Sequence, residues 1–182
     1  MGELDVQSWE EYQQKASVTA IYPHRGEFIG LLYTVCGLVG EARELFQSLS
    51  IKDKGVKELS DNFWFFSQVC FEAGISIEDV FTEAEELYAQ KKYFRIDEPA
   101  LDIIDSVCTV SEIVSKAVRD DNLVLTQEKK SKIQFELANT MCGFFGLCKF
   151  YKIPWQDVAK INLEKLYSRM DRGKLGGSGD DR

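Results

Sequence analysis

Apolar residues recur every three to four positions through most of the chain and β-branched alternation is scarce, a pattern that predicts helices throughout. A short helix is expected over 7–19, a loop over 20–26, and a long helix over 28–49 whose apolar stripe is Ile29, Leu32, Cys36, Val39 and Leu45/Phe46. The polar stretch 48–55 interrupts the pattern and is short enough to join two antiparallel helices. An aromatic-rich helix follows over 56–73, ended by Gly74, and Ser76 caps a further helix to about Lys92. Beyond the turn-like 95–99 the pattern restarts, with helices over about 100–119 and 127–151 and a last one opened by Pro154 and running to about Met170. The fold class expected is all-α.

The restart is a repeat. Gly74-Ile-Ser-Ile-Glu-Asp-Val80 aligns with Lys152-Ile-Pro-Trp-Gln-Asp-Val158, and counting back pairs Glu58 with Glu136 and Asp61 with Asn139. In the preceding helix Glu41 falls against Glu112 and Glu44 against Ser115. Two similar halves of three to four helices, 1–95 and 96–182, are therefore expected as a fused pseudo-dimer, the second having lost half of its acidic positions.

Those acidic positions are the candidate chemistry. Glu41-Ala-Arg-Glu44 and Glu58-Leu-Ser-Asp61 each place two carboxylates three apart, on one helix face, and a hairpin would set the faces opposite each other. Four hard oxygen donors with no thiolate or imidazole beside them suit Mg2+ or Mn2+ better than Zn2+. In a chain with 30 Asp+Glu the same spacing also arises as a solvated acidic rim, as at Glu83/Glu86 and Asp102/Asp105. What sets the first two pairs apart is their apolar setting, Leu38, Val39 and Leu45 around Glu41 and Phe63 to Phe66 after Asp61. Spacing and setting alone admit both readings.

Composition narrows the class. The net charge of -8 argues against a duplex nucleic-acid binder, which needs a basic face. No apolar run reaches the length of a membrane span and no signal pattern is visible, so no membrane partner and a cytoplasmic location are expected. The five cysteines, none in a CxxC pair, read as reduced core residues. His24, the sole histidine, stands in the expected loop and rules out Glu-x-x-His di-iron pairs and a Ser/His/Asp triad.

The stretch Tyr33-Thr-Val-Cys-Gly-Leu-Val-Gly-Glu41-Ala-Arg-Glu44-Leu, followed by Lys57-Glu58-Leu-Ser-Asp61 and Phe63-Trp64, resembles the ExxE…ExxD core of MazG-like nucleotide pyrophosphohydrolases. Tyr12 to Pro23 resembles that family's lead-in, and Asn162-Leu-Glu-Lys165-Leu-Tyr-Ser-Arg169-Met-Asp-Arg172-Gly through Gly179-Asp-Asp-Arg182 its closing segment. The resemblance implies an all-α, Mg2+-dependent enzyme, with Mn2+ as a substitute, that hydrolyses nucleoside triphosphates to a monophosphate and pyrophosphate in nucleotide-pool housecleaning. It implies Glu41, Glu44, Glu58 and Asp61 as metal ligands, Glu44 or Glu41 as the group acting on water, and Asn162, Lys165, Arg169 and Arg172 on the substrate.

This chain departs from the family's single-copy arrangement. Against Asn162, Lys165 and Arg169 the first half has Ala84, Leu87 and Lys91, which suggests one composite site, its metal end from half one and its phosphate end from half two. Trp64 or Tyr22 could stack on a base, although Trp64 reads more simply as core, and the glycine-rich run from Gly176 could nest phosphates. The expected partner is a small nucleotide, and apolar helix faces leave room for a homo-dimer of the fused pseudo-dimer. The rival readings are a catalytically silent nucleotide-binding protein and a helical interaction module.

Overall fold

The computed structural model describes residues 4–176, and all regular structure there is helical. The helices are α1 (Trp9–Ser17), α2 (Phe28–Ser48), α3 (Lys52–Ala73), α4 (Ile77–Tyr88), α5 (Asp97–Asp120), α6 (Gln127–Tyr151) and α7 (Trp155–Asp171). Their ends follow from local chemistry. Ser8, Ser76 and Thr126 accept backbone N–H bonds from Glu11, Asp79 and Lys129, which satisfies donors that the first turn leaves open. α3 and α6 both stop at a left-handed residue, Gly74 (φ 63°) and Lys152 (φ 53°).

Two expectations about the first hairpin change. α3 starts at Lys52, ahead of the expected 56, so the break shrinks to 49–51, and Gly55 in its first turn leaves room for the Tyr151 hydroxyl. The buried stripe of α2 is Leu31, Val35, Leu38, Ala42 and Leu45, whereas Ile29, Cys36 and Phe46 are exposed. Of the expected stripe Leu45 is buried and Leu32 and Val39 pack against the core in part, while the fully buried line runs one position away and includes the small Ala42. Cys108 is likewise exposed, so only Cys70, Cys142 and Cys148 behave as core thiols.

α2 pairs with α3 and α5 with α6 as hairpins, and α2 also lies along α5. The remaining packing is crosswise. α4 rests chiefly on α6, and α7 chiefly on α3, while α1 touches α3, α4 and α7. Where these elements meet, Trp9 lies 4.8 Å from Phe63, and Phe144 packs on both Phe63 and Phe66 at 5.0 and 5.3 Å between ring centres. Each such side chain is essentially fully buried and contributes about 1.5–3 kcal/mol of transfer free energy.

The second hairpin has a different register from the one counted off the sequence. Glu136 takes a hydrogen bond from Ser106 and feels Asp105, whereas Glu112 is exposed and paired with Lys116 and the Ser115 hydroxyl donates to the Glu112 carbonyl. The connection over 121–126 is also longer than that over 49–51, with Asn122 and Leu123 in left-handed conformation, and α5 sits shifted along α6 relative to the α2–α3 pair. Among the described residues no helix is long and apolar enough to cross a membrane.

Candidate functional site

α2 presents Tyr33, Gly37, Glu41 and Glu44 along one face, two turns of aromatic and small residues leading to the acidic pair. Gly37 is the position that lets α3 close in, since a side chain there would overlap the Phe65 ring. α3 brings Glu58, Asp61, Trp64 and Phe65 to the same place, and α7 adds Asn162, Leu166 and Arg169. Together they line a cleft of ≈ 680 Å³, closed at its rim by Ile21, Tyr22 and Pro23 of the α1–α2 loop and by Leu175 and Gly176. The rest of the glycine-rich run lies outside the described residues.

Oxygens of Glu41, Glu44 and Glu58 come within 4.8 Å of one another, close enough to share one cation. Glu58 is buried and Glu44 exposed, so the cluster spans the wall from floor to solvent. Burial, reinforced by the charges of Asp61, Glu44 and Glu58, pushes the Glu41 carboxyl up to about 8. A group of close carboxylates that cannot all ionise alone is a donor set that hard divalent cations fit. Asp61, expected as the fourth ligand, is drawn toward α7: its Oδ1 accepts from the Lys165 ammonium and, at 3.3 Å, from the Asn162 amide.

The basic side of the cleft is held from behind. The buried Tyr12 hydroxyl of α1 donates to Asn162 Oδ1 at 2.8 Å, which fixes the amide so that its NH2 points at Asp61. Burial drives the Tyr12 phenol well above its ordinary pKa, so it remains a donor. Arg169 is buried in the wall. Arg172, expected at the substrate, is not there: it follows the end of α7, is exposed, and spends its Nε on the Ser168 carbonyl at 3.1 Å.

The aromatic wall was only partly legible. Tyr22 stacks on Tyr33 with ring centres 4.9 Å apart, Trp64 meets Phe65 edge-on at 4.8 Å, and all four rings line the cleft. Trp64 is thus half-buried wall rather than pure core, anchored by its indole N–H on the Thr19 hydroxyl at 3.0 Å. Glu72 fixes the loop by accepting from the Tyr22 hydroxyl at 2.6 Å and from the Gly26 N–H at 2.8 Å. Reading the face of α2 backward from Glu41 in steps of four would have found Tyr33; Tyr12 and Glu72 join the site through tertiary packing, which carries no local signal.

His24 stands at the loop surface, Nδ1 3.3 Å from Glu27, away from the cleft lining. No family model matches the chain, and no solved structure matches it. It is 38% identical over 73 residues to the Gene 37 protein of Mycobacterium phage L5, a match that covers 40% of this chain and 64% of that protein.

Proposed function

We propose that the chain is a Mg2+-dependent nucleoside triphosphate pyrophosphohydrolase, converting (d)NTP and water to (d)NMP and pyrophosphate. The observation that carries this reading is the meeting, in one aromatic-walled cleft, of three clustered carboxylates with Asn162, Arg169 and the Lys165–Asp61 pair. It also supports a fused pseudo-dimer of MazG-like halves with one composite site, because acidic and basic groups come from different halves and the third helix of each half packs on the other.

Glu41, Glu44 and Glu58 would hold Mg2+ or Mn2+, which supplies charge neutralisation for the triphosphate and acidifies a water. The chain's own groups do the rest. Arg169 offers a planar fork to phosphate oxygens, and Lys165 adds a point charge held by Asp61, whose carboxylate the Asn162 amide orients. Water oxygen bonds to the α-phosphorus as the bond from that phosphorus to the bridging oxygen breaks, and pyrophosphate leaves. The water's proton passes to a carboxylate of the cluster, Glu44 or Glu41. Tyr22, Tyr33, Trp64 and Phe65 offer ring faces to a base and keep bulk water from the reacting phosphate.

Pyrophosphate release from a panel of standard and modified NTPs and dNTPs with Mg2+ or Mn2+ tests the reading. Native protein should turn over part of the panel, and Glu41→Gln and Lys165→Ala should each lose about 10²–10³-fold in kcat. A chain that binds nucleotides in this cleft yet releases no pyrophosphate would be the silent binding protein instead. Loss in Glu41→Gln alone would keep the hydrolase and remove the composite site.

A further inference from the structure

A second cleft, of ≈ 430 Å³, opens between the end of α4 and the end of α6, and it shares no lining residue with the carboxylate cleft. Tyr88, Tyr93 and Phe150 form its apolar walls, and Lys91, Lys149 and Lys152 its polar ones; no carboxylate lines it. Three ammonium groups around one aromatic cavity are unexpected in a chain of net charge -8. By the aligned segments 74–80 and 152–158, Tyr88 and Lys91 correspond to Leu166 and Arg169 of the first cleft. The likeness stops there: Gly146, Lys149, Phe150 and Lys152 align with Gln68, Phe71, Glu72 and Gly74, none of which lines the first cleft, so the second cleft is a site of its own.

Two details show a built arrangement. Asp102 accepts from both Lys91 Nζ at 2.7 Å and the Tyr93 hydroxyl at 2.8 Å, which locks an ammonium and a ring side by side. Lys152 adopts a left-handed conformation, φ 53°, where the equivalent residue is Gly74. A lysine is strained there and glycine is not, so the charge is kept at a conformational cost. Complementing the α6 dipole would not require that position, since Lys149 already stands in the last turn.

We propose that this cleft binds a nucleoside monophosphate without a divalent cation, the base between the tyrosine and phenylalanine rings and the phosphate on Lys149 and Lys152. The volume lies in the range of small-ligand sites, and lysines supply the charge that a metal supplies elsewhere. The inference does not depend on the chemistry proposed for the carboxylate cleft.

The test is a titration of the full chain with AMP, GMP, CMP and UMP at low salt in EDTA, followed by calorimetry and by backbone amide NMR. At least one nucleotide should bind saturably, with shifts centred on Tyr93, Gly146, Lys149 and Lys152, and Glu41→Gln should bind it equally well. Lys149→Glu and Lys152→Gly should each weaken binding by roughly tenfold, one charge-assisted hydrogen bond's worth. Lys152→Gly should do so while keeping or raising the thermal midpoint, which separates lost binding from lost folding. No shift at these amides up to millimolar nucleotide, unchanged affinity in both lysine variants, or inorganic phosphate binding as tightly as the nucleotide would each overturn the proposal.

Discussion

Glu41 is the residue on which the first cleft's electrostatics turn. Its carboxyl is raised from about 4.5 to about 8 first by burial and then by three neighbouring carboxylates, with Lys165 only partly offsetting them. A raised acid pKa means that the folded chain binds a proton which the unfolded chain has released, so the stabilisation is full below about 4.5 and is lost as pH rises through about 8. In EDTA the native thermal midpoint should therefore fall between pH 5 and pH 8. Glu41→Gln, neutral at every pH, should flatten that slope and melt higher than native at pH 8, by roughly 2–4 °C for each kcal/mol recovered. A native midpoint that rises across that window, or an unchanged slope in the variant, would mean that Glu41 ionises freely in the fold. Mg2+ or Mn2+ added at pH 8 should restore the native midpoint, because a cation takes the proton's place among the carboxylates.

At the scale of elements, periodicity and caps located every helix, since those signals are local: Ser76 before an amphipathic run and Gly74 after one act within a turn or two of the chain. The same locality explains what was missed. Asn122 is a residue type that tolerates a left-handed backbone, but nothing announces that Leu123 will adopt one beside it, and the shift of α5 along α6 could not be counted. Nor does any helix's own pattern say that α4 will rest on α6 and α7 on α3. The acidic pairs were legible because both partners of each pair share one helix face, whereas the pairing of Asp61 with Lys165 spans 104 residues and belongs to packing alone.

That crosswise packing makes the connection at 89–96 dispensable for cohesion. A protease site placed beside the exposed Phe94 should yield a nicked chain that still elutes as one species and unfolds in one transition. Residues 1–93 or 94–182 produced separately should show no cooperative unfolding, because α3 then lacks α7 and α6 lacks α4, leaving the buried faces around Phe63 and Phe144 open to water. Two halves that each fold alone, with dispersed amide spectra, would show that the hairpins rather than the exchange carry the stability.

For the molecule as a whole, α1 acts as a clasp across that exchange. Trp9 stacks on Trp155 of α7 with ring centres 4.6 Å apart and planes 12° from parallel, and packs on Phe63 of α3, while Glu10 N–H donates to Glu78 of α4 at 2.8 Å. One turn on, Tyr12 carries the clasp to Asn162 and so to the cleft. Removing the indole takes away the surface on which α3 and α7 are brought together, and a cavity of that size closes only in part. Trp9→Ala should therefore cost about 3–5 kcal/mol, seen as a lower urea midpoint with an unchanged slope. Trp9→Phe should cost much less, because the buried indole N–H finds no acceptor among the described residues and its loss frees the fold of an unsatisfied donor. Equal losses in the two variants would trace the stability to the indole's own contacts with Trp155, and a small loss in both would show that α7 is held on α3 without the clasp.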